Sequence, residues 1–260
     1  MSLFLPIALW SGDVPPPQAP YKQTNPFFSN TESNTIIELT PSQSSQSSQS
    51  SQSSQSSQSS QSSQSPQPAG DKNLIVFIGG LMDSHHRVLF REFANFRQGS
   101  YPKLAHIPFV GKIYTTFDHK ALFASWLPHL IASGYHLYIF AHSWGAANIC
   151  KLLSRLMLAP ASIPLLVTMD PVGYWRLAHK PQSIGVWVNI YVADKWRHIT
   201  VPNICTYIGR AWNHCRAADT EIVLKNYHSH TKSDKNRKII AHASIRTMME
   251  AFNTSKEVLF

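Results

Sequence analysis

Ser143 stands in Ala141-His142-Ser143-Trp144-Gly145, between an apolar run (Leu137, Tyr138, Ile139, Phe140) and a helix-like pattern. Strand, then small-x-Ser-x-small, then helix is the context of a nucleophile elbow. Such a turn strains the backbone at the serine and crowds the residues two before and two after it, which must be small. Ala141 and Gly145 are small, although Ala141 stands where the pattern usually has glycine. A hydroxyl is a weak nucleophile at neutral pH and needs a base within hydrogen-bond reach. That base needs an acid to fix its tautomer, and acyl transfer needs amide donors for the oxyanion it generates.

Three of the thirteen histidines are candidates for the base. His228 and His230 follow a short strand-like run at 221–224, in a loop-like stretch, whereas His242 falls inside the last helical pattern. A base must be free to face Ser143, which puts His230, the first choice, and His228, the second, ahead of His242. For the acid, Asp170 in Thr168-Met169-Asp170-Pro171 closes a strand-like run, and the following proline should hold its backbone extended. Asp194, after the next strand, is the second choice. Gly79-Gly80-Leu81 ends an early strand, so the oxyanion donors are expected to be the Trp144 N–H and that of Gly80 or Leu81. His85-His86 and His228-x-His230 have no carboxylate or cysteine at ligand spacing, so no metal is expected. Neither a phosphate-cradling loop nor a dinucleotide fingerprint is present, so no cofactor is expected either.

The elements that must position these residues alternate. Residues 74–78 (Leu-Ile-Val-Phe-Ile) form a continuous apolar run, as in a strand buried on both faces. Helical spacing follows at 86–96, a strand at 112–117, and a helix at 122–133 disturbed by Pro128. After the elbow strand at 137–140 come an apolar helix at 146–158, strands at 164–169 and 186–192, and a short strand at 221–224. Residues 198–218 show no clear period, and 237–252 form an amphipathic helix with Ile240, Ile245, Met248, Met249 and Phe252 on one stripe. Strands alternating with helices imply a parallel sheet covered on both faces.

The first seventy residues look separate. Residues 1–41 read as an N-terminal extension with one strand-like run at 35–39, and 42–70 as a flexible linker built on a Gln-Ser-Ser tract. The tract has nothing apolar to bury against the entropy of ordering it. Residues 71–260 are then the catalytic domain. A net charge of +9 raises nucleic acid or an anionic membrane as partners, but the basic residues are scattered and no nucleic-acid module is recognisable. No nucleic-acid partner is expected. No run is long and apolar enough to span a bilayer, and the first ten residues lack the basic start and cleavage site of a signal peptide. The expectation is a soluble protein, cytoplasmic or exported, with room for peripheral membrane contact through the tether. Cys150, Cys205 and Cys215 make no disulfide framework, and a Cys205–Cys215 pair is left open.

An early Gly-Gly, the elbow, a later Asp and a His before the last helix, in that order, resemble the α/β-hydrolase family over roughly residues 71–252. The chain order Ser, Asp, His is the one typical of that fold. The resemblance implies an α/β, α/β-hydrolase-like fold, a mostly parallel sheet flanked by helices, preceded by a disordered low-complexity segment. It also implies a lipase- or esterase-like serine hydrolase of minimal form. Residues 230–234, a His followed by a short polar turn and an acid, resemble the base loop of small family members. The Asp-Pro pair at 170–171 is similar to that of pancreatic-type lipases. The implied reaction is cleavage of a small-molecule or lipid-like ester, or a thioester, through an acyl-Ser143. An apolar acyl group would suit Trp144, Trp175, Trp187 and Trp212 if they line the site. A non-catalytic binding scaffold and an acyltransferase with the same triad are the alternatives.

Overall fold

The computed structural model describes residues 36–39, 72–81, 83–97, 99–195, 200–226 and 240–258. Six parallel strands form its centre: β2 (Lys72–Gly79), β3 (Phe109–Thr116), β4 (Tyr135–His142), β5 (Ile163–Met169), β6 (Ile184–Val192) and β7 (Thr220–Leu224). A seventh strand, β1 (Ile36–Leu39), pairs antiparallel with β3 at one edge, giving the order β1-β3-β2-β4-β5-β6-β7. The architecture is α/β and α/β-hydrolase-like, a mostly parallel sheet with helices on both faces.

The apolar runs become buried strands because both faces of the sheet are covered. In β2, Ile75 and Phe77 join a cluster with Leu89 and Phe93 of α2 (Val88–Asn95) and with Met248, Met249 and Phe252 of α6 (Ile245–Thr254). Val76 and Ile78, pointing the other way as the period of two requires, pack with Leu127 of α3 (Lys120–Ala132) and Ile149 of α4 (Ser143–Leu153). α3 runs through Pro128 without a break. The short α1 (Asp83–His86) links the end of β2 to α2. Every strand of the parallel set therefore ends at one rim, where residues 79–81, 142–143, 170 and 193–195 meet.

Three differences from the expected elements matter for that rim. The aperiodic stretch contains α5 (Val201–Ile208), capped by Thr200, whose Oγ1 accepts the Asn203 N–H at 3.4 Å. The last helix begins at Ile245 rather than near 237, because residues 241–244 form a turn: Ser244 N–H donates to the Ala241 carbonyl and Ala241 N–H to Ser244 Oγ, both at 2.9 Å. His242 therefore lies in a loop. Third, β1 belongs to the stretch read as a separate extension, so the residues between 39 and 72 connect two strands of one sheet. The Gln-Ser-Ser tract itself lies outside the described residues.

Candidate active site

β4 ends at His142 and α4 begins at the next residue, with Ser143 at φ +54°. This left-handed conformation is uncommon for a residue with a Cβ and marks a strained turn. Its crowding differs from the expected pattern. A Cβ on Gly145 would lie 2.6 Å from the carbonyl oxygens of Ile78 and Gly79, and one on Gly80 would lie 2.6 Å from Ser143 Cβ. The small residues are thus needed where α4 meets the end of β2, and this tight fit brings Gly80 against the serine.

Ser143 Oγ lies 2.9 Å from Nε2 of His242, and Nδ1 of His242 lies 2.6 Å from Asp170 Oδ2. Because a carboxylate only accepts, Nδ1 carries the hydrogen and Nε2 is left to accept the Ser143 hydroxyl proton. All three side chains are buried. The imidazole at the serine is therefore His242, the third of the sequence candidates. His230 and His228, the first and second, lie outside the described residues. On sequence alone His242 ranks last, since it falls inside an apolar, helix-like pattern. The turn closed by Ser244 frees it from that helix.

Asp170 follows β5 but is not extended as its Pro neighbour suggested. Its φ is +42°, while its N–H still donates to the Ile190 carbonyl at 2.6 Å. Leaving the sheet in this left-handed turn, which Asp tolerates better than most residues, delivers the carboxylate to His242. The other carboxylate oxygen accepts the ammonium of Lys195, itself buried, and the Val192 N–H at 3.4 Å. Burial alone would raise the Asp170 pKa. The hydrogen bond and charge of His242, and then the Lys195 ammonium, outweigh it and bring the carboxyl down to about 2.

The segment carrying His242 is fastened on several sides. Its N–H donates to Asn203 Oδ1 at 2.9 Å, and Asn203 Nδ2 donates to the Lys195 carbonyl at 2.9 Å. His142 Nε2 donates to the His242 carbonyl at 3.0 Å, and the two rings lie 4.5 Å apart. Nδ1 of His142 is then a buried acceptor with no partner among the described residues. Burial first, and the neighbouring His242 second, lower the His142 pKa to about 3, so this ring stays neutral. Two residues upstream, Asn226 holds Ile240 by two hydrogen bonds, 2.7 and 3.0 Å. Asp194, the second-choice acid, accepts the backbone and side-chain N–H groups of this same Asn226 at 3.1 Å. It braces Asn226, whereas the carboxylate that meets His242 is that of Asp170.

The expected oxyanion residues converge on the serine from two elements. Trp144 N–H belongs to the first turn of α4, where backbone donors have no partner within the helix. Gly80 abuts Ser143 from the loop after β2, and Leu81 follows it, about half exposed. That loop turns through Asp83 N–H to the Gly80 carbonyl at 3.2 Å. The buried Asp83 carboxylate fixes it by accepting Leu89 N–H at 2.9 Å and the Tyr114 hydroxyl at 2.6 Å. Burial, and next the Asp83 charge, raise the Tyr114 pKa far above the usual phenol range, so that hydroxyl remains a donor.

A groove of about 380 Å³ runs along α4, lined by Ile78, Phe117, Phe123, Gly145, Ile149 and Leu152 together with Thr116, His119, Asn148, Lys151 and Arg155. The tryptophans are distributed differently from expectation. Trp187 and Trp212 are fully buried in the core and Trp175 is exposed. Trp144 meets Phe117 edge-on at 5.8 Å. Cys150, Cys205 and Cys215 are all free. Among the described residues, no group of His, Cys, Asp and Glu is placed to hold a metal ion, and no helix is long and apolar enough to cross a membrane.

Sequence reasoning did not single out Lys195, Asn203 or His142. Nothing in local sequence pairs Lys195 with Asp170 across twenty-five residues. A Thr-x-Pro start at Thr200 would have revealed α5 and hence Asn203, and Ser244 as a cap would have freed His242.

No family model and no curated protein matches this chain. Among solved structures it is similar to an "Alpha/Beta hydrolase fold protein of unknown function", 10% identical, with 70% of this chain and 88% of that one covered at a TM-score of 0.36. It is also similar to a dienelactone hydrolase from Anabaena variabilis ATCC 29413, 12% identical over 71% of this chain and 87% of that one, at a TM-score of 0.34. Likenesses this low carry no weight for function, which rests on the geometry of the site.

Proposed function

We propose that this chain is a serine hydrolase cleaving a carboxylic ester through an acyl-Ser143 intermediate. The observation that carries the reading is the unbroken chain of hydrogen bonds from Asp170 through His242 to Ser143, at 2.6 and 2.9 Å.

His242 Nε2 takes the hydroxyl proton as Ser143 Oγ attacks the ester carbonyl carbon. Asp170, kept ionised, holds the imidazolium that forms. The negative oxygen of the tetrahedral intermediate is received by the Trp144 N–H and by the N–H of Gly80 or Leu81, donors that need no rearrangement. Collapse expels the alcohol, which takes the proton from His242. Water then repeats the sequence at the acyl-serine, releasing the acid and restoring Ser143. The groove along α4 supports an apolar portion in the substrate, since its walls are mostly hydrocarbon.

Incubation with a p-nitrophenyl ester, followed by mass spectrometry of the quenched protein, tests this. We expect a burst of nitrophenol and an acyl adduct on Ser143, both absent from Ser143→Ala. Equal turnover by Ser143→Ala would overturn the assignment.

A further inference from the structure

Asp170 is shared between two partners, an imidazole and an ammonium, and the reaction scheme uses only the first. Its Oδ2 faces His242, while Oδ1 takes the Lys195 ammonium from the turn after β6. Lys195 is 4% exposed and Asp170 is fully buried, so this ion pair is closed off from solvent. A lysine is costly to bury. The backbone around this one is held in place, because its carbonyl accepts Asn203 Nδ2 at 2.9 Å while Asn203 also receives His242 N–H. Lys195 and His242 are thus fastened to one asparagine and one carboxylate.

We propose that Lys195 is a positioning residue that sets the pH range of the Ser143 site, its ammonium fixing the Asp170 carboxylate and offsetting the pull of that charge on His242. This inference rests on the hydrolase reading above. A carboxylate beside an imidazole favours the protonated ring, and a fixed ammonium on the same carboxylate offsets that pull. Removing the ammonium acts in one direction by either route. The imidazolium gains an unopposed anion, or the buried carboxylate itself keeps a proton, and in both cases the Asp170–His242 pair retains its proton to higher pH. Two other groups meet the imidazole among the described residues, Ser143 Oγ and the neutral ring of His142 from the end of β4, while the uncharged Asn203 amide holds the His242 backbone N–H. None of them carries a charge that would substitute for Lys195. Asp194, one residue away in sequence, is turned to Asn226.

The test is the rate of fluorophosphonate labelling against pH, on the full chain, for wild type, Lys195→Met, Lys195→Gln and Lys195→Arg. The acid limb should move up by about one pH unit in the Met and Gln variants. In Lys195→Arg, which keeps the charge, it should stay within a few tenths of wild type. The Gln variant retains a donor to Asp170, so its limb separates charge from hydrogen bonding. A limb unmoved in folded Met or Gln variants overturns the inference and leaves the hydrolase reading intact. Loss of folding in both while Lys195→Arg folds also overturns it, by showing a pair needed for structure alone. A wild type that labels at no pH overturns the Ser143 reading and this inference with it.

Discussion

Ser143 and Asp170 are two of the few non-glycine residues held at positive φ, +54° and +42°, and they are the two ends of the hydrogen-bond chain. Strain at both ends is tolerable because the surroundings over-determine it: Val172 N–H donates to the Ser143 carbonyl, and Lys195 and Val192 grip Asp170. The third strained feature is chemical, the neutral His142 buried beside His242. With a folded pKa of about 3 against an ordinary 6.5, this ring binds no proton in the native state over a range where the unfolded chain binds one. Stability from His142 is therefore complete above about pH 6.5 and falls as pH drops toward 3, by roughly 5 kcal/mol over the whole window. Asp170, with its carboxyl at about 2, adds its own loss only below about pH 4. Urea unfolding at pH 7, 5.5 and 4.5 should show the decline in wild type and a flatter profile in His142→Gln. Equal slopes would contradict it. At this scale the places of Ser143 and Asp170 at strand ends were legible, since each sits where an apolar run stops. The loop position of His242 was not, because a histidine among apolar residues carries no sign of being in a turn rather than in a helix.

At the level of elements, the site is a meeting of β2, β4, β5 and the loop before α6, and glycines set how closely the first two approach. Gly80→Ala would force a methyl within 2.6 Å of Ser143 Cβ. We expect acylation to fall about 100-fold or more, through displacement of the nucleophile, with the fold retained. Labelling kinetics beside circular dichroism would check it, and wild-type labelling by Gly80→Ala would contradict the close approach. The loop itself depends on Asp83, and Asp83→Ala leaves the Tyr114 hydroxyl and Leu89 N–H buried without this acceptor. A loss of about 2–3 kcal/mol in denaturant unfolding is expected, and a loss under about 0.5 would show the bonds to be dispensable. The groove predicts specificity. Leu152→Trp should slow hydrolysis of long-chain esters several-fold more than of acetate esters, and equal slowing would place the acyl chain elsewhere. The strand order could be read from continuous apolar runs. α5 is hard to read from sequence because its pattern is reversed, with Val201, Ile204, Tyr207 and Ile208 exposed and the polar Asn203 and Thr206 buried.

For the molecule as a whole, β1 changes the meaning of the Gln-Ser-Ser tract. Leu39 pairs at Gly111 and β2 begins beside Phe109, so the ends of the connection lie two strand spacings apart, about 10 Å, which three or four residues can span. The residues between 39 and 72 therefore connect two strands of one sheet. Composition alone could show that the tract has no core to join, but not that both its ends are pinned, because pairing across a long gap leaves no local pattern. Halving the tract should change stability by less than about 1 kcal/mol, since closure entropy grows only slowly with length. Deleting residues 1–71 should instead expose β3 as an edge, lowering the melting temperature and promoting aggregation. If the deletion melted like the full chain, β1 would contribute nothing.

The most direct measurement is fluorophosphonate labelling of wild type, His242→Gln and His230→Gln, each verified as folded. Labelling of Ser143 is expected in wild type and in His230→Gln, and its loss, by about 1,000-fold or more, in His242→Gln. Undiminished labelling of His242→Gln, with loss in His230→Gln, would contradict the assignment of the base and the hydrogen-bond chain on which the proposed function rests.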